Sequence, residues 1–105
     1  MIEEIHKIAD YYGYEAQSRQ LIEEMAELTQ ALNKLWRYEN ARFNGDVYKL
    51  KHDIIEEIAD VEICLEYVKY LLGRDDSSRE IEADVENVKQ FKVERELERI
   101  TLILG

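Results

Sequence analysis

No proline occurs anywhere in the 105 residues, and apolar side chains return every three or four positions along most of the chain. That spacing builds a continuous stripe on a helix, and no proline is present to break it. Only four glycines, with abundant Glu, Leu, Ile and Lys, point the same way, toward an all-α bundle. At this length the chain is expected to be one domain spanning residues 1–105. Its core would be modest, and oligomerisation is a common way to enlarge such a core.

Four helices follow from the pattern. Ile2, Ile5, Ala9 and Tyr12 mark a short first helix over residues 2–12, closed by Gly13. It contains one Glu-x-x-His, Glu3 to His6, a spacing that di-iron bundles use twice; His52 has Lys49 three residues before it, so a di-iron site is not expected. A second helix runs from about Glu15–Ser18 to Tyr38, with Leu21, Met25, Leu28, Leu32 and Leu35 as its buried stripe and Trp36 continuing the face. After the turn at Asn44-Gly45, Asp46 caps a third helix from Val47 to Leu72, closed by Gly73. Its stripe is Leu50, Ile54, Ile58, Val61, Leu65, Val68 and Leu72. Ile63, Tyr67 and Tyr70 make a second, partly apolar face, which in so small a chain calls for a partner subunit. Ser77 and Glu80 match a capping box that opens a fourth helix. There Ile81, Val85 and Val88 are continued on the same face by Lys92, Arg95 and Arg99, while Val93, Leu97, Ile100 and Leu104 move to the opposite side. The change of phase near Phe91 predicts a kink or a change of packing partner.

Acids break the second and third stripes. Glu24 and Glu27 are three residues apart, as are Glu57 and Asp60, so each pair shares a helix face with roughly 5–6 Å between Cβ atoms. At about 100° per residue, Glu57 projects inside the apolar arc of its helix, and Asp60 lies at the edge of that arc with Asp53 close by. Glu24 falls about 20° from Leu35 on its own wheel. Isolated carboxylates in such settings persist when paired, protonated or bound to a metal. Four of them from two antiparallel helices, with no His or Cys among them, suit Mg²⁺ or Mn²⁺ better than zinc. Magnesium keeps waters and commonly bridges to substrate phosphates, and Glu23 or Glu56 beside the ligands is placed to orient or deprotonate such a water. Lys34, two turns after Glu27, is either solvated or in reach of a phosphate. Lys92, Arg95 and Arg99 either face the same cavity or form a solvated basic edge.

The net charge of −10 argues against a nucleic-acid surface, which needs clustered Lys and Arg; a small phosphorylated substrate bridged by a cation remains compatible with it. Cys64 is the lone cysteine, on the apolar side of its helix, and reads as a small buried hydrophobe. No run approaches the length of a membrane span, and the N-terminus is acidic where a signal peptide would be basic, so a cytoplasmic protein is expected.

Glu23-Glu24-Met25-Ala26-Glu27, followed one helical hairpin later by Glu57-Ile58-Ala59-Asp60, resembles the motif pair of the MazG-like, all-α nucleoside triphosphate pyrophosphohydrolases. The similarity extends to the helix lengths, the run from Glu56 to Ile63 and the basic ending from Lys92 to Ile100. The resemblance implies a four-helix protomer, a homodimer or homotetramer with sites at the subunit contact, and Mg²⁺-dependent cleavage between the α and β phosphates to a nucleoside monophosphate and pyrophosphate. By motif position Glu24, Glu27, Glu57 and Asp60 would be metal ligands, and Glu23 an accessory ligand or water-orienting base. Lys34, Lys92 and Arg95 are phosphate-contact candidates from geometry, since the motif does not fix them. Some relatives carry an aromatic residue four positions after the last Asp, where this chain has Cys64, and others carry Trp near the position of Lys34; nucleobase selection therefore stays open. Two other readings stand beside the enzyme: a non-catalytic helical interaction module whose acids pair with Lys and Arg of the fourth helix, and an inactive relative that senses a nucleotide.

Overall fold

The computed structural model describes residues 1–41, 46–74 and 80–105. Three helical elements account for nearly all of them, α1 (Ile2–Ala41), α2 (Val47–Gly73) and α3 (Ile81–Leu104), with no strand among the described residues. The all-α expectation holds. The helices expected on either side of Gly13 adjoin without a loop and form one element, α1, so three elements stand where four helices were expected. Gly13 still marks the junction: its backbone sits at φ 87°, ψ 171°, non-helical inside α1, so two helical segments meet there at a kink. That conformation is essentially confined to glycine. At its other end α1 continues past Tyr38 to Ala41.

α2 begins where expected. The Asp46 backbone is extended, and its carboxylate accepts the N–H groups of Tyr48 at 3.0 Å and Lys49 at 3.3 Å, satisfying two donors that the first turn would otherwise leave unpaired. The expected turn at Asn44-Gly45 and the capping Ser77 lie outside the described residues. Glu80, the other half of that capping box, precedes α3 without a side-chain cap bond. No described helix is long and apolar enough to cross a membrane.

α1 and α2 pack as an antiparallel hairpin. Near the start of α1, the His6 ring stacks on Tyr70 with 3.9 Å between centroids, and the Tyr70 hydroxyl donates to Asp10 at 3.0 Å. Asp10 also pairs with Arg74. Small side chains mediate the close approach: Ala9, Ala31 and Cys64 are buried together with Ile54, Val61 and Gln17.

The contact line is not centred on the stripes expected from hydrophobicity. Leu21, Glu24, Leu28, Ala31 and Leu35 of α1 turn inward, whereas Met25 and Leu32 remain 42% and 49% exposed. On α2, Leu50, Ile54, Glu57, Val61 and Cys64 turn inward, and Ile58, Leu65 and Leu72 stay outside. Size explains the rotation. Alanine and cysteine on the acidic edge let the helix axes approach, and bulkier residues on the other edge would hold them apart. The hairpin consequently has two unlike flanks. Glu27, Gln30 and Lys34 of α1 lie with Asp53, Glu56 and Asp60 of α2 on one side of the contact line, and Met25, Leu32 and Trp36 lie with Ile58, Leu65 and Leu72 on the other.

α3 touches α2 and not α1 among the described residues. The two helices are close at Gly73, where an added Cβ would lie 3.0 Å from the Ile81 side chain. Lys69 of α2 sits 2.7 Å from Glu66 and close to Glu82 and Glu86 of α3; its hydrogen bond to Glu66, and then these charges, raise its pKa. Beyond this contact α3 continues as one helix with no buried residue, so the phase change near Phe91 accompanies departure from the hairpin.

Replacing Gly13 by Ala forces a Cβ into a backbone region that costs non-glycine residues roughly 1–3 kcal/mol. The expected outcome is a lower urea midpoint with an unchanged slope. A midpoint equal to that of the parent protein would mean that the kink is not imposed by packing.

Candidate metal centre

The second segment of α1 and the middle of α2 bring the two acidic motifs face to face. Glu24, Glu57 and Asp60 each offer a carboxylate oxygen such that all three lie within 4.8 Å of one another. Glu24 and Glu57 are half-buried, while Asp60 is exposed at the rim. One oxygen of Glu24 accepts the Gln20 amide at 2.7 Å. Its other oxygen, Oε2, is buried with no partner, and so is Oε2 of Glu57.

Two buried, unpartnered carboxylate oxygens pointed at like charge are unfavourable in an otherwise ordinary helix contact. The cost shows at Glu57, whose pKa is raised by burial first, then by the charges of Glu27, Asp60 and Glu24 and by a hydrogen bond to Glu27. Chemically, a hard divalent cation among these oxygens would satisfy both orphans and remove the repulsion; the donor set is all oxygen, as such a cation requires. Glu27, the fourth acid of the two motifs, is exposed and lies outside this group of three, although its charge and a hydrogen bond act on Glu57.

A cleft of about 350 Å³ adjoins the acids, lined by Glu27, Gln30, Ala31, Lys34, Leu50, Asp53, Glu56 and Glu57. Lys34, placed near the acids by spacing alone, thus shares a cavity with two of the four acids. Glu56 also lines the cleft and is held by His52, with 3.1 Å between Nε2 and Oε1. Glu23 is exposed and is not part of the lining. Gln30 is an addition. It lies three residues after Glu27 and four before Lys34, so the helical wheel carries it onto the same face, although no charge draws attention to it.

Lys92 and Arg95 are not brought to this place within the chain. Lys92 borders a separate groove on α3 with Ile81, Asp84, Val85, Val88 and Lys89, and the Arg95 guanidinium lies over the Phe91 ring, 5.7 Å from its centroid. Cys64 is buried one turn beyond Asp60. Burial, followed by the charges of Glu24 and Asp60, pushes its thiol pKa up, as fits a neutral packing residue.

Because folded Glu57 holds its proton more tightly than the unfolded chain does, its contribution to stability is full below the ordinary glutamate value of about 4.3 and is lost as pH rises through the raised folded value. Glu57→Gln keeps the shape and does not titrate. In chelator, wild type should therefore lose more stability than this variant as pH is raised from about 4 to 7. Parallel stability profiles for the two proteins would show that Glu57 is not the strained acid.

Compared with protein-family models, with curated proteins and with solved structures, the chain matches none of them.

Proposed function

We propose that this chain is a nucleoside triphosphate pyrophosphohydrolase of the MazG-like kind, using Mg²⁺ with Mn²⁺ as a substitute, and cleaving between the α and β phosphates to give a nucleoside monophosphate and pyrophosphate. One observation carries the reading: carboxylates from the two motifs lie within 4.8 Å of one another, with buried oxygens of Glu24 and Glu57 unpartnered, beside a cleft that contains a lysine. Glu24, Glu27, Glu57 and Asp60 would hold the cation. When bound, it supplies charge neutralisation to the phosphates and lowers the pKa of a coordinated water.

The remaining roles belong to the cleft. Lys34 offers its ammonium to a phosphate oxygen, and Gln30 offers an amide to the same chain of phosphates. Glu56, lining the cleft and oriented by His52, takes the proton of the attacking water, a task for which Glu23 lies outside the lining. Among the described residues, no ion pair joins the acids of the two motifs to a Lys or Arg of α3, as the interaction-module reading requires. Lys89 pairs with Glu86 and Arg99 with Glu96, each at 3.2 Å along α3 itself, and Arg95 lies over Phe91.

A panel of nucleoside triphosphates with products resolved into phosphate and pyrophosphate tests the activity. Pyrophosphate release from at least one substrate, dependent on Mg²⁺ or Mn²⁺, is expected; orthophosphate alone, or no turnover across the panel, removes the proposal. Glu57→Gln should lose more than the roughly 10–100-fold that follows loss of a ligand's outer partner. Metal binding is separable from turnover: at a hundred times the dissociation constant, Mg²⁺ should stabilise wild type by about 2.7 kcal/mol, and most of that gain should be missing in Glu57→Gln. An equal gain in both proteins would place the cation elsewhere.

A further inference from the structure

We infer that Gln20 is a positioning residue for the cation site: its side-chain amide holds Glu24 so that one carboxylate oxygen stays facing Glu57 and Asp60. This role is tied to the metal-binding part of the function proposed above. Gln20 lies one helical turn before Glu24, and its Nε2 donates to Oε1 of Glu24 at 2.7 Å. The other oxygen of Glu24, Oε2, is buried and has no partner. A carboxylate beside two like charges, on a flexible side chain, gains by turning toward solvent, where water satisfies it and distance weakens the repulsion. The bond from Gln20, an exposed residue, opposes that turn. It occupies Oε1 and leaves Oε2 as the oxygen that a cation would complete.

The chemistry of the donor supports this role. Lys or Arg in the same place would orient Glu24 but would offset its charge, and with it much of the attraction for a divalent cation. A neutral amide orients the carboxylate and leaves the charge intact, as the outer partners of metal ligands commonly do. Glu57 is held differently. Its hydrogen bond is to Glu27, and two carboxyl groups make one only while they share a proton. The Gln20 amide donates with or without a cation, so Glu24 is the ligand kept ready before binding. The same type of pair occurs on α3, where Gln90 donates to Glu94 at 3.2 Å over the same spacing. Both residues are exposed, on a helix that does not touch α1 among the described residues, and their bond is an ordinary surface contact.

Mg²⁺ alone is the probe, with no nucleotide present, and its dissociation constant is read from the concentration dependence of the melting temperature. Gln20→Met keeps the length of the side chain and removes the donor. It should raise the dissociation constant about 10–100-fold. In chelator the variant should melt at or above the wild-type temperature, because Glu24 can then turn away from Glu57. Gln20→Ala should give the same result with a shorter side chain, and Gln90→Met should leave the dissociation constant unchanged. A bond that only supports the helix gives the opposite pattern, a lower melting temperature in chelator and unchanged Mg²⁺ affinity. An unchanged dissociation constant in Gln20→Met overturns the proposal whatever happens in chelator, and so does an equal loss of affinity in Gln90→Met. The two levels fail separately: a wild type that Mg²⁺ does not stabilise removes the metal site and the role of Gln20 with it, whereas stabilisation of wild type matched by Gln20→Met removes the role of Gln20 alone.

Discussion

Everything in this hairpin depends on where α1 and α2 touch. The helices approach along Ala9, Ala31 and Cys64, and that line lies on the acidic side of each apolar arc. Packing therefore draws Glu24 and Glu57 inward against their own repulsion. Apolar contact along the rest of the line outweighs the cost, which is concentrated at two oxygens without partners and at one carboxyl whose proton is held too tightly. The same rotation that pulls the acids in pushes Met25, Leu32, Ile58 and Leu65 out. The cleft and the apolar flank are two results of a single choice of contact line.

Much of this was legible in the sequence. The absence of proline and the three-and-four periodicity are enough for the helices. Asp46 announces its cap because a short carboxylate ahead of an apolar run has an evident use there. Glu57 is conspicuous because an acid has no business inside an apolar arc. The centre of each stripe was less accessible, since a wheel weighs hydrophobicity and the contact was decided by size: leucine and methionine score above alanine, yet alanine lets the axes close. Gln30 escaped notice because a neutral amide belongs to no motif. The basic residues of α3 illustrate a different limit. Lys92 and Arg95 share a face by spacing, but the direction in which a whole helix leaves Gly73 is not written in its periodicity.

The hairpin also divides its labour along its length. Around Asp10, Tyr70, Arg74 and His6, opposite charges, a hydroxyl and a stacked ring pair off across the helices, and the hydrogen bond to Asp10 is the first cause of the raised Tyr70 pKa. Farther along, like charges face one another. One region closes the structure and the other resists closure, so the strain at the acids is supported by contacts several helical turns away.

Between those regions lies the kink at Gly13, and it acts as a phase joint. In an unbroken helix an added residue rotates everything beyond it by about 100°, so an insertion ahead of the acids would swing Glu24 and Glu27 off the contact line. At a glycine with non-helical dihedrals the azimuth of one segment is not inherited rigidly from the other. Insertions or deletions at Tyr12, Gly13 or Tyr14 can be taken up there, leaving the anchored first segment and the acidic second segment each in its own register. The same change between Gln17 and Glu24 has no joint to absorb it. Variation in length among chains built on this plan should therefore gather at the glycine and be absent from the turns just before the acids.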